Sequence, residues 1–174
     1  YVAYSVDLTV KDCNILNNPE DGIYITAAPT NNGGWYRKRG YATIENCNIT
    51  NNYRNGISVT DTPGGCVIKD SYFANSGLHA VDFEPNVHHT SNHTITGCTF
   101  DDDNLMLYGS LPTALVWDIT IEDCNFINGA DLKSHQAMNV VAANNTFTGG
   151  GALFFNGYYD DQDGYGKIAL TNNS

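Results

Sequence analysis

The stretch Leu8-Thr9-Val10-Lys11-Asp12-Cys13-Asn14-Ile15 decides how this chain folds, because it returns as Ala42-Thr43-Ile44-Glu45-Asn46-Cys47-Asn48-Ile49. Further copies are Cys66-Val67-Ile68-Lys69-Asp70-Ser71-Tyr72-Phe73, His93-Thr94-Ile95-Thr96-Gly97-Cys98-Thr99-Phe100 and Ile119-Thr120-Ile121-Glu122-Asp123-Cys124-Asn125-Phe126. Weaker ones run from Val140 to Phe147 and from Ile168 to Asn173. Aligned on positions 13, 47, 71, 98, 124, 145 and 173, the copies recur every 21 to 34 residues, the self-similarity expected of a solenoid. Apolar and polar residues alternate within each copy, as in a strand with one buried face; a helix would space them by three or four.

A second short strand follows most copies: Ile23-Tyr24-Ile25, Ile57-Ser58-Val59, Val81-Asp82-Phe83, Leu105-Met106-Leu107 and Leu153-Phe154-Phe155. The alternation turns Ile23, Ile57, Val81, Leu105 and Leu153 inward and leaves Tyr24, Ser58, Asp82, Met106 and Phe154 as an outward row. A coil of this kind buries only part of its residues and needs neighbours to satisfy its strand edges. The sequence therefore predicts an all-β, right-handed parallel β-helix of about seven coils, forming one domain over residues 1–174. At about 4.8 Å per coil the rod is roughly 34 Å long. The chain opens on Tyr1 and closes on Thr171-Asn172-Asn173-Ser174 inside a repeat, so truncation at both ends is expected, with oligomerisation through the exposed helix ends as one consequence.

Cys13, Cys47, Cys98 and Cys124 share one coil position with Ser71, Asn145 and Asn173, which predicts an inward stack of free thiols. Stacked Cβ vectors run parallel rather than facing, which disfavours disulfides, and they do not converge as zinc requires. The formal charge of -11, from 19 acidic and 8 basic residues, argues against a nucleic-acid partner. Arg37-Lys38-Arg39 is too short a basic patch to track a phosphate backbone. No stretch approaches the roughly 20 apolar residues of a membrane helix, so no membrane insertion is expected. Four Asn-x-Ser/Thr triplets, at Asn48, Asn92, Asn144 and Asn172, are acceptors if the chain is secreted.

The repeat resembles the pectate-lyase-like superfamily of right-handed β-helices, which includes polysaccharide lyases, glycan hydrolases, epimerases, phage tailspikes and surface adhesins. The sharpest stretch runs from Asn52-Tyr53-Arg54-Asn55-Gly56-Ile57-Ser58-Val59 to Asp82-Phe83-Glu84-Pro85-Asn86, similar to an Arg-x-Gly-Ile-Ser…Asp-x-Glu-Pro-Asn pattern of bacterial and phage β-helix proteins. The Asn-Thr-Asp and Arg-Ile-Lys signatures of polygalacturonase-like hydrolases and the Asp-Pro-His-Asp signature of alginate epimerases are absent. The resemblance thus implies a location outside the cell, on a cell surface or on a virion, and a glycan partner, without specifying a reaction.

Two adjacent coils contribute the densest candidate site, Arg54, Asp61, His79, Asp82 and Glu84. Residues two apart on a strand have Cα atoms about 6.5–7 Å apart, so the carboxyls of Asp82 and Glu84 fit either glycosidase separation. One arrangement uses Glu84 as acid and Asp82 as base or nucleophile. A second is β-elimination, with Arg54 or His79 abstracting the proton while the carboxylates hold calcium or the sugar. A third is structural: an Arg54–Glu84 ion pair between coils, with Pro85 ending the strand.

Insertions at Ala28 to Gly40, Pro85 to Ser91, Gly109 to Trp117 and Gly157 to Gly166 are expected to emerge on one side. They carry Trp35, Tyr36, Trp117, Tyr158, Tyr159 and Tyr165, which with Tyr24 and Tyr108 either line a sugar-binding groove or pack their own loops. Asp101-Asp102-Asp103, and Asp160, Asp161 and Asp163, are candidate calcium ligands or solvated turns. His88, His89 and His93 read as loop histidines within reach of a metal. No cofactor is required by these readings apart from the optional calcium. The leading reading is a glycan-engaging β-helix that cleaves polysaccharide by hydrolysis or elimination; the alternative is a noncatalytic adhesin, sheath or tail-fibre module.

Overall fold

The computed structural model describes residues 2–3, 7–26, 41–62, 64–86, 89–109, 114–156 and 167–174. Each coil contributes one strand to each of three parallel sheets, except the last, which reaches only two. Sheet 1 stacks Val2–Ala3, Ile23–Thr26, Asn55–Thr60, His79–Phe83, Leu105–Tyr108, Leu132–His135 and Leu153–Asn156 in that order. Sheet 2 stacks Asp7–Lys11, Tyr41–Glu45, Cys66–Lys69, Thr90–Thr96, Val116–Glu122, Ala137–Ala143 and Ile168–Thr171. Sheet 3 stacks Asn14–Leu16, Asn48–Thr50, Tyr72–Ala74, Thr99–Asp101, Asn125–Ile127 and Thr146–Phe147. The repeated phrase forms sheet 2, a corner and sheet 3; the second strand forms sheet 1.

The corner between sheets 2 and 3 explains the residue before each anchor position. Asp12, Asn46, Asp70, Gly97, Asp123, Asn144 and Asn172 all have φ between 50° and 64°. Among residues with a side chain, Asn and Asp enter this left-handed region most readily, and glycine enters it freely. The corner beyond sheet 3 repeats the device with Asn17, Asn51, Asn75, Asp102, Asn128 and Gly149. Each coil therefore turns at the same two places, and the strands stay in register.

Inside, like side chains stack on like. Phe73, Phe100, Phe126 and Phe147 form a continuous column with ring centroids 5.2, 4.7 and 4.6 Å apart and nearly parallel planes. The thiol position also faces inward. Ser71 Oγ accepts the Cys47 N–H, Asn145 Oδ1 accepts the Cys124 N–H, and Asn173 Oδ1 accepts the Asn145 N–H. All five cysteines are free, with Cys13 exposed at the first coil and the rest buried. Burial pushes the Cys66 thiol up to about 12.

Three details depart from the sequence reading. Leu132–His135 supplies a sheet 1 strand after Ile119-Phe126 that the apolar alternation did not reveal, since its second inward position is the polar Ser134. The insertions end earlier than expected, because Ser91 and Trp117 already pair in sheet 2. His93 is a core residue: its ring lies 4.5 Å from that of Phe83, and its Nε2 is 2.7 Å from Thr90 Oγ1. Thr90 Oγ1 donates to Thr62 O, so Nε2 carries the ring proton. Burial pulls the His93 imidazole down to about 3.

Truncating the middle of the phenylalanine column tests whether the stack holds the rod together. Phe100→Ala is expected to lower the unfolding free energy by about 3–5 kcal/mol, read from the midpoint of urea denaturation at unchanged m-value.

Candidate functional site

Sheet 1 presents two outward rows. Register aligns Tyr24, Ser58, Asp82, Met106, Lys133 and Phe154 in one row. Thr26 and Thr60 begin the second row, and Tyr108, His135 and Asn156 continue it. Glu84, the residue after the strand's last, Phe83, follows in this second row and donates its N–H to Val59 O. Asp82 and Glu84 consequently share the outer wall, two residues apart.

The polar centre of this wall is a chain of side chains drawn from three successive coils. Arg54 Nε contacts Asp21 Oδ1 at 3.1 Å, and the same oxygen accepts the Asn55 N–H at 3.1 Å. The Asn55 amide donates to Ser58 Oγ at 3.0 Å and to Asp82 Oδ2 at 3.3 Å, while its Oδ1 accepts the His79 N–H at 3.1 Å. Asn55 is fully buried, which locks the amide in this orientation. Arg54 thus pairs with Asp21, correcting the expected Arg54–Glu84 bridge; Asp21 is the carboxylate of the preceding coil and lies against Asn55.

Asp82 is only 7% exposed although it points away from the core. Its Oδ1 is buried with no hydrogen-bond partner among the described residues. Burial first and the nearby Glu84 charge second push the carboxyl up to about 7, against the opposing pull of Arg54 and Asn55. His79 is lowered by burial and by the Lys133 charge, and its Nδ1 is buried without a partner among the described residues. Lys133 pairs with Asp131 at 3.0 Å and lies over the Phe154 ring, 6.0 Å from its centroid.

The remaining candidates separate. Asp61 lies beyond the strand at φ 47°, and its Oδ1 accepts the Asn86 N–H at 3.0 Å, which ties the turns of two coils together. Tyr24 accepts a hydrogen bond from Thr60 Oγ1 at 3.2 Å, and Tyr108 stacks on His135 with centroids 5.1 Å apart. Both belong to the wall. Trp117 does not, since it lies on sheet 2 with its ring 5.3 Å from that of His89. Trp35, Tyr36, Tyr158, Tyr159, Tyr165, Asp160, Asp161 and Asp163 lie outside the described residues, as do His88 and Arg37-Lys38-Arg39.

The acidic run Asp101 to Asp103 is dispersed by the fold. Asp101 accepts from Tyr72 and Asn128, Asp102 occupies the left-handed corner, and buried Asp103 accepts the Ser76 N–H. Among the described residues no three His, Cys, Asp or Glu side chains are grouped to hold a metal ion.

A family model for the right-handed β-helix region matches residues 1–174. The chain belongs to the right-handed β-helix family. No curated protein and no solved structure matches it. Within this β-helix the sequence reading placed Ser58 on the outward row but gave no role to Asp21, Asn55 or Lys133. The near-repeat Asp21-Gly22-Ile23-Tyr24 and Asn55-Gly56-Ile57-Ser58 carried the signal for Asp21 and Asn55. Lys133 was hidden with its strand.

The raised Asp82 carboxyl makes a thermodynamic prediction. Unfolded, an aspartate titrates near 3.8; folded, this one holds its proton to about 7, so between those values Asp82 binds more proton in the native state and its own contribution to stability falls as pH rises, opposite in sign to that of buried His93. Relative to wild type, Asp82→Asn is expected to remove that slope and to be more stable above pH 7 by roughly 2–4 kcal/mol. Denaturant titrations of both proteins from pH 4 to 8 check it; parallel stability curves would refute it.

Proposed function

We propose that this β-helix engages a polysaccharide along the outer wall of sheet 1 and hydrolyses it with Asp82 as general acid and Glu84 as the second carboxyl group. The observation that carries the reading is the buried Oδ1 of Asp82, which has no partner among the described residues, beside Glu84. Oδ2 accepts the Asn55 amide, so the proton retained near neutral pH belongs on Oδ1. A carboxyl group protonated at working pH is what departure of a glycosidic oxygen requires. Glu84 then acts from the same wall, as base on a water molecule or as nucleophile; this reverses the roles first suggested by the sequence. The Arg54–Asp21–Asn55 chain positions Asp82 through the Asn55 amide.

Hydrolysis by two carboxyl groups needs no bound cofactor. Calcium belongs to the elimination scheme, in which Asp82 would be ionised; its retained proton favours hydrolysis. A net charge of -11 supports a glycan over a nucleic-acid partner. We place the protein outside the cell, on a cell surface or on a virion, on the strength of its membership of the β-helix family and its sequence likeness to lyases, tailspikes and adhesins. The burial of Asp82 favours a second reading, a noncatalytic surface module whose wall only presents side chains.

A panel of neutral and acidic polysaccharides, assayed for new reducing ends and for the absorbance of unsaturated uronates, separates these readings. Hydrolysis predicts reducing ends without that absorbance, and losses of at least about 100-fold for Asp82→Asn and Glu84→Gln. Unsaturated products would transfer the wall to elimination. Binding without cleavage would leave the surface module.

A further inference from the structure

On the far side of the rod from this wall, the corner between sheets 2 and 3 forms an open groove of about 430 Å³. It runs across four coils, from Asp12 and Asn14 to Gly97 and Thr99. At about 4.8 Å per coil its length is roughly 14 Å. Two ladders line it. On the corner row, Asn46 Nδ2 donates to Asp12 Oδ1 at 2.7 Å; on the first row of sheet 3, Asn48 Nδ2 donates to Asn14 Oδ1 at 3.3 Å. Each donating amide uses one N–H along its ladder, and its second N–H and its carbonyl oxygen have no partner among the described residues. The result is a pair of oriented amides on the second coil, each tied to the coil before it, with further polar side chains of the next two coils beyond.

Tyr72 supplies a different kind of surface. It is 37% exposed, and its hydroxyl is held by Asp101 Oδ2 at 2.6 Å, while Asp101 Oδ1 accepts Asn128 Nδ2 at 2.6 Å. An aromatic ring at the edge of the groove is therefore held in place by side chains of two further coils. Beyond it Gly97 lets the Asp70 carboxylate lie close over the backbone, since a Cβ there would stand 2.6 Å from Asp70 Oδ1. The lining includes the carboxylates of Asp12 and Asp70 and no cationic side chain. The nearest lysines, Lys11 and Lys69, both direct their ammonium groups to Glu45.

We infer that this corner groove is a second glycan site, separate from the sheet 1 wall, which binds a neutral, extended oligosaccharide with its axis along the rod. The oriented amides address sugar hydroxyls, a fixed ring takes the C–H face of one sugar, and the carboxylates repel uronates. The ladders are held before binding, so little ordering accompanies it.

The test is a backbone-amide NMR titration of the full chain with a β-1,4-glucan hexamer and, separately, a β-1,4-mannan hexamer and a galacturonate hexamer. A neutral hexamer is expected to shift the amides of Asn14, Asn48, Tyr72 and Thr99, with the galacturonate leaving them in place. Tyr72→Ala should weaken binding about five- to tenfold, and Thr99→Arg, which puts a long side chain into the groove lining, should abolish it in a chain whose remaining amide spectrum is unchanged. Asp82→Asn should leave it unaltered. Shifts confined to sheet 1, no shift with either neutral hexamer, or equal shifts with galacturonate would each overturn the inference; none of these bears on hydrolysis at Asp82, which the cleavage assay decides separately.

Discussion

The whole molecule depends on backbone hydrogen bonds made between coils. Every strand finds its partners in the coils before and after it, so a coil has no stable existence alone, and any drift in register would leave a row of buried N–H and C=O groups unpaired. Two left-handed corners per coil prevent the drift. The corner residues are Asn, Asp or Gly at each position because other side chains resist that backbone conformation. Stacking of like on like follows from the register, and the phenylalanine column and the inward thiol, hydroxyl and amide row are its two clearest products.

The same register builds surfaces from residues distant in sequence. On sheet 1, Asp21, Asn55 and Asp82 belong to three coils yet form one hydrogen-bonded chain. Its chemical interest lies in an imbalance: Asn55 gives Asp82 one modest hydrogen bond, while burial and the neighbouring Glu84 oppose ionisation. A fully solvated Asp-x-Glu pair would carry two ordinary carboxylates. Here burial holds the proton of one member up to about 7, an asymmetry set by desolvation.

Opposite faces of the rod present different electrostatics. The sheet 1 wall mixes Arg54, His79, Lys133 and His135 with Asp82 and Glu84, whereas the corner groove holds carboxylates, amides and hydroxyls without a cation. Both extend along the axis, as a solenoid requires, so each offers an elongated ligand a repeating set of contacts.

From the sequence alone came the parallel stack, the coil boundaries marked by Cys13 through Asn173, the inward set Ile23, Ile57, Val81, Leu105 and Leu153, and the presence of Asp82 on an outward row. These are legible because strand alternation is a local property of the pleat and repeats wherever the pattern does. The strand Leu132–His135 escaped for the converse reason, since a buried Ser134 broke its apolar pattern. Tertiary structure alone decided that Arg54 reaches Asp21 instead of Glu84, that His93 is a neutral core residue, that Asp101, Asp102 and Asp103 face three environments, and that Asp82 is desolvated. Each of those outcomes depends on lateral neighbours one coil away, where small differences in distance and burial determine which charge is paired and which proton is kept.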